Sequence, residues 1–111
     1  YPEDTNQAEK KFLEDNGIEV TSITGIGFNR VGELSHPSKQ FLYRKAKELK
    51  TEGANVFFLS CMGLATMEII QILEEDLGLP VIPSHQASLW ACLRHCRVND
   101  KLPGLGKLFT L

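Results

Sequence analysis

Residues 57–70 read "FFLSCMGLATMEII", an apolar run that turns into a helical period, with Cys61 and Gly63 at the change. A cysteine at the carboxyl end of a strand, facing a helix start, can attack a substrate or pass a proton. Unpaired amides at a helix start favour a thiolate or a bound carboxylate. Gly63 lets the backbone come close to a ligand. The competing reading is a small apolar filler in the core. Cys92 and Cys96, with His95, invite a metal, since i, i+4 spacing puts both sulfurs on one helical face. The second ligand pair of a structural zinc site is missing from the sequence, and core packing is the expectation for both sulfurs. His36 and His85 read as rim or cap residues.

Other stretches carry less. "GIGFNRVG" lacks the third glycine at the right spacing and the Lys-Ser/Thr pair of a phosphate loop, so no nucleotide site is expected there. Asn29 and Arg30 in that loop can still meet a carboxylate; a solvated loop is the alternative. Trp90, between Leu89 and Leu93, reads as core. The run Glu74-Glu75-Asp76 reads as a solvated helix face.

The elements that must position these residues follow from periodicity and punctuation. "TNQAEKKFLEDNG" predicts a helix capped by Thr5 or Asn6, with Ala8, Phe12 and Leu13 as its apolar stripe and Gly17 as its stop. "IEVTSIT" predicts a strand that leads into the glycine-bearing loop. A second helix, capped by Ser35 with Pro37 in its first turn, runs through "SKQFLYRKAKELK". "NVFFLS" is a short continuous apolar run of the kind a buried parallel strand shows. "TMEIIQILEEDL" carries Met67, Ile70, Leu73 and Leu77 on one face and stops at Gly78. "PVIPS" predicts a strand, and Ser84 a cap for the last helix, "HQASLWACLRHC". The tail "RVNDKLPGLGKLFTL" shows no clear period.

The order α-β-α-β-α-β-α predicts an α/β fold, a parallel sheet wrapped by helices in three layers. Because the sequence opens on a helix after "YP", which reads like the residues that follow a strand, the first strand of such a sheet is expected to be missing from it. Ligands in these sheets bind outside the carboxyl ends of strands. That rule puts Tyr1, the loop from Gly25 to Gly32, Cys61 with Met62 and Gly63, and Ser84 with His85 on one rim.

The chain has 111 residues, 42% hydrophobic and 23% charged, which suits one soluble domain. A net charge of -2 gives no electrostatic reason to expect nucleic acid or an acidic membrane as partner. No apolar run approaches a membrane span, and the start is not that of a signal peptide. Three cysteines do not make a disulfide framework, and a reducing cytoplasm is the simplest compartment.

Taken together, "YPEDTN", the "SC" and "GL" at Ser60 to Leu64, "LGLPVIPS", "QASLW" and "PGLGKLF" resemble the carboxyl-terminal half of the aspartate/glutamate racemase superfamily. The maleate cis–trans isomerases and arylmalonate decarboxylases are its nearest branches. The resemblance spans nearly the whole chain. It implies a flavodoxin-like half of a pseudo-symmetric two-domain fold, with the active site between the halves and the amino-terminal half as partner. In racemases and isomerases each half contributes one cysteine. Cys61 would be the second-half cysteine, a proton donor or acceptor. Tyr1 would bind a substrate carboxylate, with the backbone at Met62 and Gly63 beside the cysteine, and Asn29 would match an isomerase asparagine. "GL" after the cysteine leans towards the decarboxylases. "SHQASLW" leans towards the isomerases, with His85 in place of their usual asparagine.

Proton transfer next to a carboxylate passes through an enediolate-like species whose extra charge needs pre-placed donors, each worth about 3 kcal/mol. The resemblance therefore implies a cysteine-dependent isomerase or racemase of a small dicarboxylate, maleate-isomerase-like, with no metal or organic cofactor. An arylmalonate-type decarboxylase is the near alternative. From another class, the chain could be a non-catalytic flavodoxin-like interaction domain with Cys61 as filler. The chain by itself is expected to turn over little substrate, and a homo-oligomer stays open.

Overall fold

A computed structural model of the chain describes residues 1–27 and 37–111. Asn29, Arg30, Gly32, Ser35 and His36, singled out above, lie outside the described residues. The chain divides into two compact units, Tyr1–Gly53 and Ala54–Leu111.

The first unit holds helices α1 (Glu3–Asp15) and α2 (Lys39–Glu48). Glu3 and Asp4 in the first turn of α1 suit the positive end of a helix. The helix starts ahead of the predicted caps: Pro2, with φ at -61°, takes the N-cap place and no side chain caps the turn. The predicted stop holds. Gly17 is left-handed at φ 82°, and the amides of Gly17 and Ile18 donate to the carbonyls of Glu14 and Leu13, each at 3.0 Å. The predicted stripe is not the buried face. Ala8 and Phe12 are exposed, Phe12 by 67%, and the buried residue is Asn6, whose Nδ2 donates to the Tyr1 carbonyl at 3.3 Å. Periodicity marks a face that can be covered, and burial needs a surface to cover it.

In α2 the cap is Ser38 rather than Ser35. Its Oγ accepts from the Phe41 amide at 3.2 Å, and Pro37 stands one residue before the cap instead of in the first turn. Leu42 and Ala46, one turn apart, are buried. No strand is assigned over residues 18–24, where "IEVTSIT" predicts one. A strand exists only with a ladder partner. Here the tie is a side-chain bond from Ser22 Oγ to the Lys50 carbonyl at 2.9 Å.

The second unit runs β1 (Phe57–Leu59), α3 (Ile70–Leu77), β2 (Val81–Pro83), α4 (Ser84–His95) and a 3-10 helix, Lys107–Thr110. The two strands pair in parallel, as the βαβ order predicts, with Phe57 opposite Val81, Phe58 opposite Ile82 and Leu59 opposite Pro83. Phe57, Val81 and Pro83 lie on one buried face, whereas Phe58 is 41% exposed on the other. The apolar run thus marks a strand covered on one face within this chain. Helix α3 begins later than the period suggests, because a turn closed by the Ile69 amide on the Thr66 carbonyl at 2.9 Å comes first. Met67 is consequently exposed, while Ile70 and Leu73 are fully buried. Gly78, left-handed at φ 67°, ends α3 as predicted. Among the described residues no helix is long and apolar enough to cross a membrane.

Glu74 departs from the solvated face assigned to its run. Its Oε1 accepts from the Val81 and Lys107 amides, each at 3.0 Å, and its Oε2 also lies 3.0 Å from the Lys107 nitrogen. Glu75 and Asp76 do lie exposed. Hydrogen bonds to a charged group contribute about 1.5–3 kcal/mol each, and a stranded partner adds its own desolvation cost. Glu74→Ala is expected to lower stability by about 3 kcal/mol in urea unfolding, with Glu74→Gln, which keeps one oxygen acceptor, losing less. Equal stability of all three proteins would show that the carboxylate does not hold these amides.

Candidate active site

The carbonyl of Leu59, the last residue of β1, accepts from two directions. The Cys61 amide reaches it at 3.1 Å, the tight i to i+2 turn common at strand ends, and Ser84 Oγ reaches it at 3.3 Å. Ser84 is the first residue of α4, with Pro83 in the N-cap place, so its hydroxyl ties helix to strand instead of capping its own turn. One oxygen therefore fixes both the cysteine turn and the start of α4 at the carboxyl ends of the paired strands, where α/β sheets bind ligands.

Cys61 is a free thiol, buried at 8% exposure. Met62 and Gly63 form the exposed turn that follows it, and a Cβ placed on Gly63 would lie 3.8 Å from the Cys61 sulfur. Among the described residues neither the Met62 nor the Gly63 amide meets an acceptor. The helix invoked to favour a thiolate does not follow at once, since α3 begins at Ile70. The amides next to the sulfur are those of the turn.

Tyr1 belongs to the first unit, where a Cβ on Gly25 would collide with its carbonyl, so only glycine fits at position 25. Asn29 lies outside the described residues. Cys92 and Cys96 are exposed, against the expectation of core packing, because the buried residue of α4 is Gln86 and the helix turns Leu89 and both sulfurs outward. Trp90 is half-buried rather than core, with the Arg94 guanidinium 5.3 Å from its ring centre. No group of three or more His, Cys, Asp or Glu side chains among the described residues could hold a metal ion.

Two polar residues escaped the sequence reading. Thr66, five positions past Cys61, is fully buried, and Gln86, in the first turn of α4, is 2% exposed. Thr66 Oγ1 and both amide atoms of Gln86 have no hydrogen-bond partner among the described residues. In "GLAT" and "QASLW" the two residues show only as a hydroxyl and an amide set among apolar residues, which by itself does not mark a site.

A family model described as arylmalonate decarboxylase matches residues 1–109. The chain is 29% identical over 113 residues to an arylmalonate decarboxylase of Bordetella bronchiseptica, covering 98% of this chain and 47% of that protein. It is 25% identical over 107 residues to a maleate isomerase of Geobacillus stearothermophilus, covering 96% of this chain and 42% of that protein. The chain thus spans about half the length of the curated relatives it matches. A Nocardia farcinica maleate cis–trans isomerase solved with a covalently bound succinylcysteine intermediate superposes with a TM-score of 0.84 at 21% identity, over 93% of this chain and 43% of that one.

Burial sets two expectations. Cys92 and Cys96 should react with a bulky maleimide well before Cys61 in the native chain, and the difference should vanish in denaturant; equal native rates would contradict the burial of Cys61. Thr66→Val removes an unpaired buried hydroxyl at nearly constant shape, so urea unfolding should show it neutral or up to about 1–3 kcal/mol more stable. A clear loss of stability would mean that the hydroxyl has a partner.

Proposed function

Because this chain belongs to the arylmalonate decarboxylase family, we propose that it supplies the Cys61 side of an active site moving a proton at the carbon beside a carboxylate. The leading reading is a cofactor-independent isomerase of a small dicarboxylate, maleate-isomerase-like. The observation that carries it is the Cys61 turn: a buried thiol fixed through the Leu59 carbonyl, next to two amides that meet no acceptor among the described residues.

In this reading a nucleophile from the partner half adds to one carbon of the double bond, and its electron pair moves onto the other carbon and its carboxylate. The Met62 and Gly63 amides hold the enediolate-like charge, and the Cys61 S–H delivers its proton to that carbon. Rotation about the new single bond and reversal of both steps restore the double bond, the thiol and the free nucleophile. The succinylcysteine in the Nocardia protein is an adduct of the kind that addition and protonation together form. Tyr1 serves as a hydroxyl donor to a substrate carboxylate, and Asn29 as a further contact. The second reading, arylmalonate decarboxylation, is favoured by the family model and by the Bordetella relative. There the carbon–carbon bond breaks, carbon dioxide leaves, and Cys61 protonates the carbanion left behind. Both readings use Cys61 in the same role. The chain's share of its relatives' length supports a second half that completes the site, and the cytoplasm is the compartment that suits a free catalytic thiol.

The test uses the Cys92→Ser, Cys96→Ser protein, in which Cys61 is the one remaining thiol. Maleate or an α-arylmalonate should slow its alkylation, whereas acetate at equal ionic strength should not. Turnover of either substrate by this chain alone should be slight. Absence of protection by both dicarboxylates would remove the reading, and brisk turnover by the chain alone would remove its two-part form.

A further inference from the structure

The last turn of α4 carries two thiols that the site at Cys61 does not use. Cys92 and Cys96 are both free and exposed, and the Cys96 amide donates to the Cys92 carbonyl at 3.0 Å, which closes the helical turn between them. The end of that turn is locked. Arg97 takes a left-handed φ of 61°, its amide donates to the Arg94 carbonyl at 3.0 Å, and the Val98 amide donates to the Leu93 carbonyl at 2.9 Å. This is the paired bonding of a Schellman ending, formed here without glycine. The two cysteines therefore stand one turn apart on a hydrogen-bonded helix end.

Side chains one turn apart start from Cβ atoms roughly 5–6 Å apart. A disulfide needs Cβ atoms about 3.5–4.5 Å apart, so forming one would have to break this locked turn. A shared soft centre makes no such demand, since sulfur–metal bonds of about 2.3 Å let each thiolate reach it from its own turn. Because no third side chain completes a metal-holding group among the described residues, a four-coordinate zinc cage is not what the pair offers. Thiolate donors select soft centres, and two donors suit a centre with two positions to fill.

We propose that Cys92 and Cys96 form a two-thiolate site for thiophilic metals and metalloids, separate from Cys61, with trivalent organoarsenicals as the matching class. With phenylarsine oxide both S–H bonds and the arsenic–oxygen bond break. Two arsenic–sulfur bonds form and the oxygen leaves as water with the two protons. Arsenic stays trivalent and no oxidant is required.

Phenylarsine oxide titrated into the 111-residue chain should bind at one equivalent with loss of two titratable thiols. Mass mapping of the adduct should place it on a peptide containing both Cys92 and Cys96. Cys92→Ser and Cys96→Ser, each checked for a native far-UV spectrum, should bind at least about 100-fold more weakly, since the second bond loses its intramolecular advantage. Cys61→Ser should bind as the parent does. An adduct mapped to Cys61, one bridging two chains, or unweakened binding by either serine variant at 92 or 96 would overturn the assignment. The peptide map decides the matter even if a serine variant fails to fold.

Discussion

The carboxylate of Glu74 is the constraint on which the second unit depends. One side chain on α3 receives the first amide of β2 and the first amide of the closing 3-10 helix. Charge-assisted bonds of this kind are stronger and more directional than those between neutral groups. They fix where β2 begins relative to α3, and the Phe57 amide then bonds the Pro80 carbonyl at 2.8 Å and sets the register of β1. The close approach of the tail depends on Gly106, at which a Cβ would lie 2.6 Å from an Ile70 methyl and 3.2 Å from Glu74 Oε1. Phe109 is then buried, and its carbonyl accepts from the Leu102 amide at 2.9 Å, closing the tail on itself.

The same register carries the thiol. With Leu59 opposite Pro83, the end of β1 falls beside the start of α4, and Ser84 can reach the Leu59 carbonyl that also holds the Cys61 amide. Catalysis by pre-placed donors requires that they cost no rearrangement when charge develops. A cysteine turn fixed to a strand end, whose next amides meet no acceptor among the described residues, would supply such donors through backbone geometry alone. At Gly63 a Cβ would make only an ordinary contact with the sulfur, 3.8 Å away, so the turn itself and not the lack of a side chain sets this geometry.

Much of the frame was legible because it rests on local rules. The stops at Gly17 and Gly78 follow from the left-handed backbone that glycine accepts, and the parallel pair follows from two apolar runs separated by a helix. What was not legible depends on contacts distant in sequence. Glu74 is one acid in a run of three, and nothing local says that it will find amides 7 and 33 residues away. The sulfurs of Cys92 and Cys96 share a face that local pattern cannot distinguish from a buried one, because Leu89 and Leu93 bracket the same helix. The stretch "IEVTSIT" has strand composition, yet pairing is a property of two segments. At the site, the cysteine and its glycine were readable from residue type and position. Thr66 and Gln86 were not, since their meaning lies in burial without partners.

Those orphaned atoms are not scattered. Thr66 Oγ1, His85 Nδ1, both amide atoms of Gln86 and Trp90 Nε1 are buried without a partner among the described residues, and all five belong to the turn region after Cys61 or to α4. Native folds leave few buried polar groups unpaired, and each such group lowers stability by about 1–3 kcal/mol. A unit that can bring two backbone amides to one carboxylate at Glu74 does not lack the means to pair polar groups. The unpartnered groups lie in the stretch that follows the Cys61 turn and in α4, whose first residue, Ser84, is tied to the Leu59 carbonyl. Proteins tend to break their own packing rules at functional sites, where the unsatisfied group has work other than stability. The unpaired atoms, found independently of any resemblance, therefore fall in the two segments that follow the carboxyl ends of β1 and β2, the first of which begins with the cysteine turn.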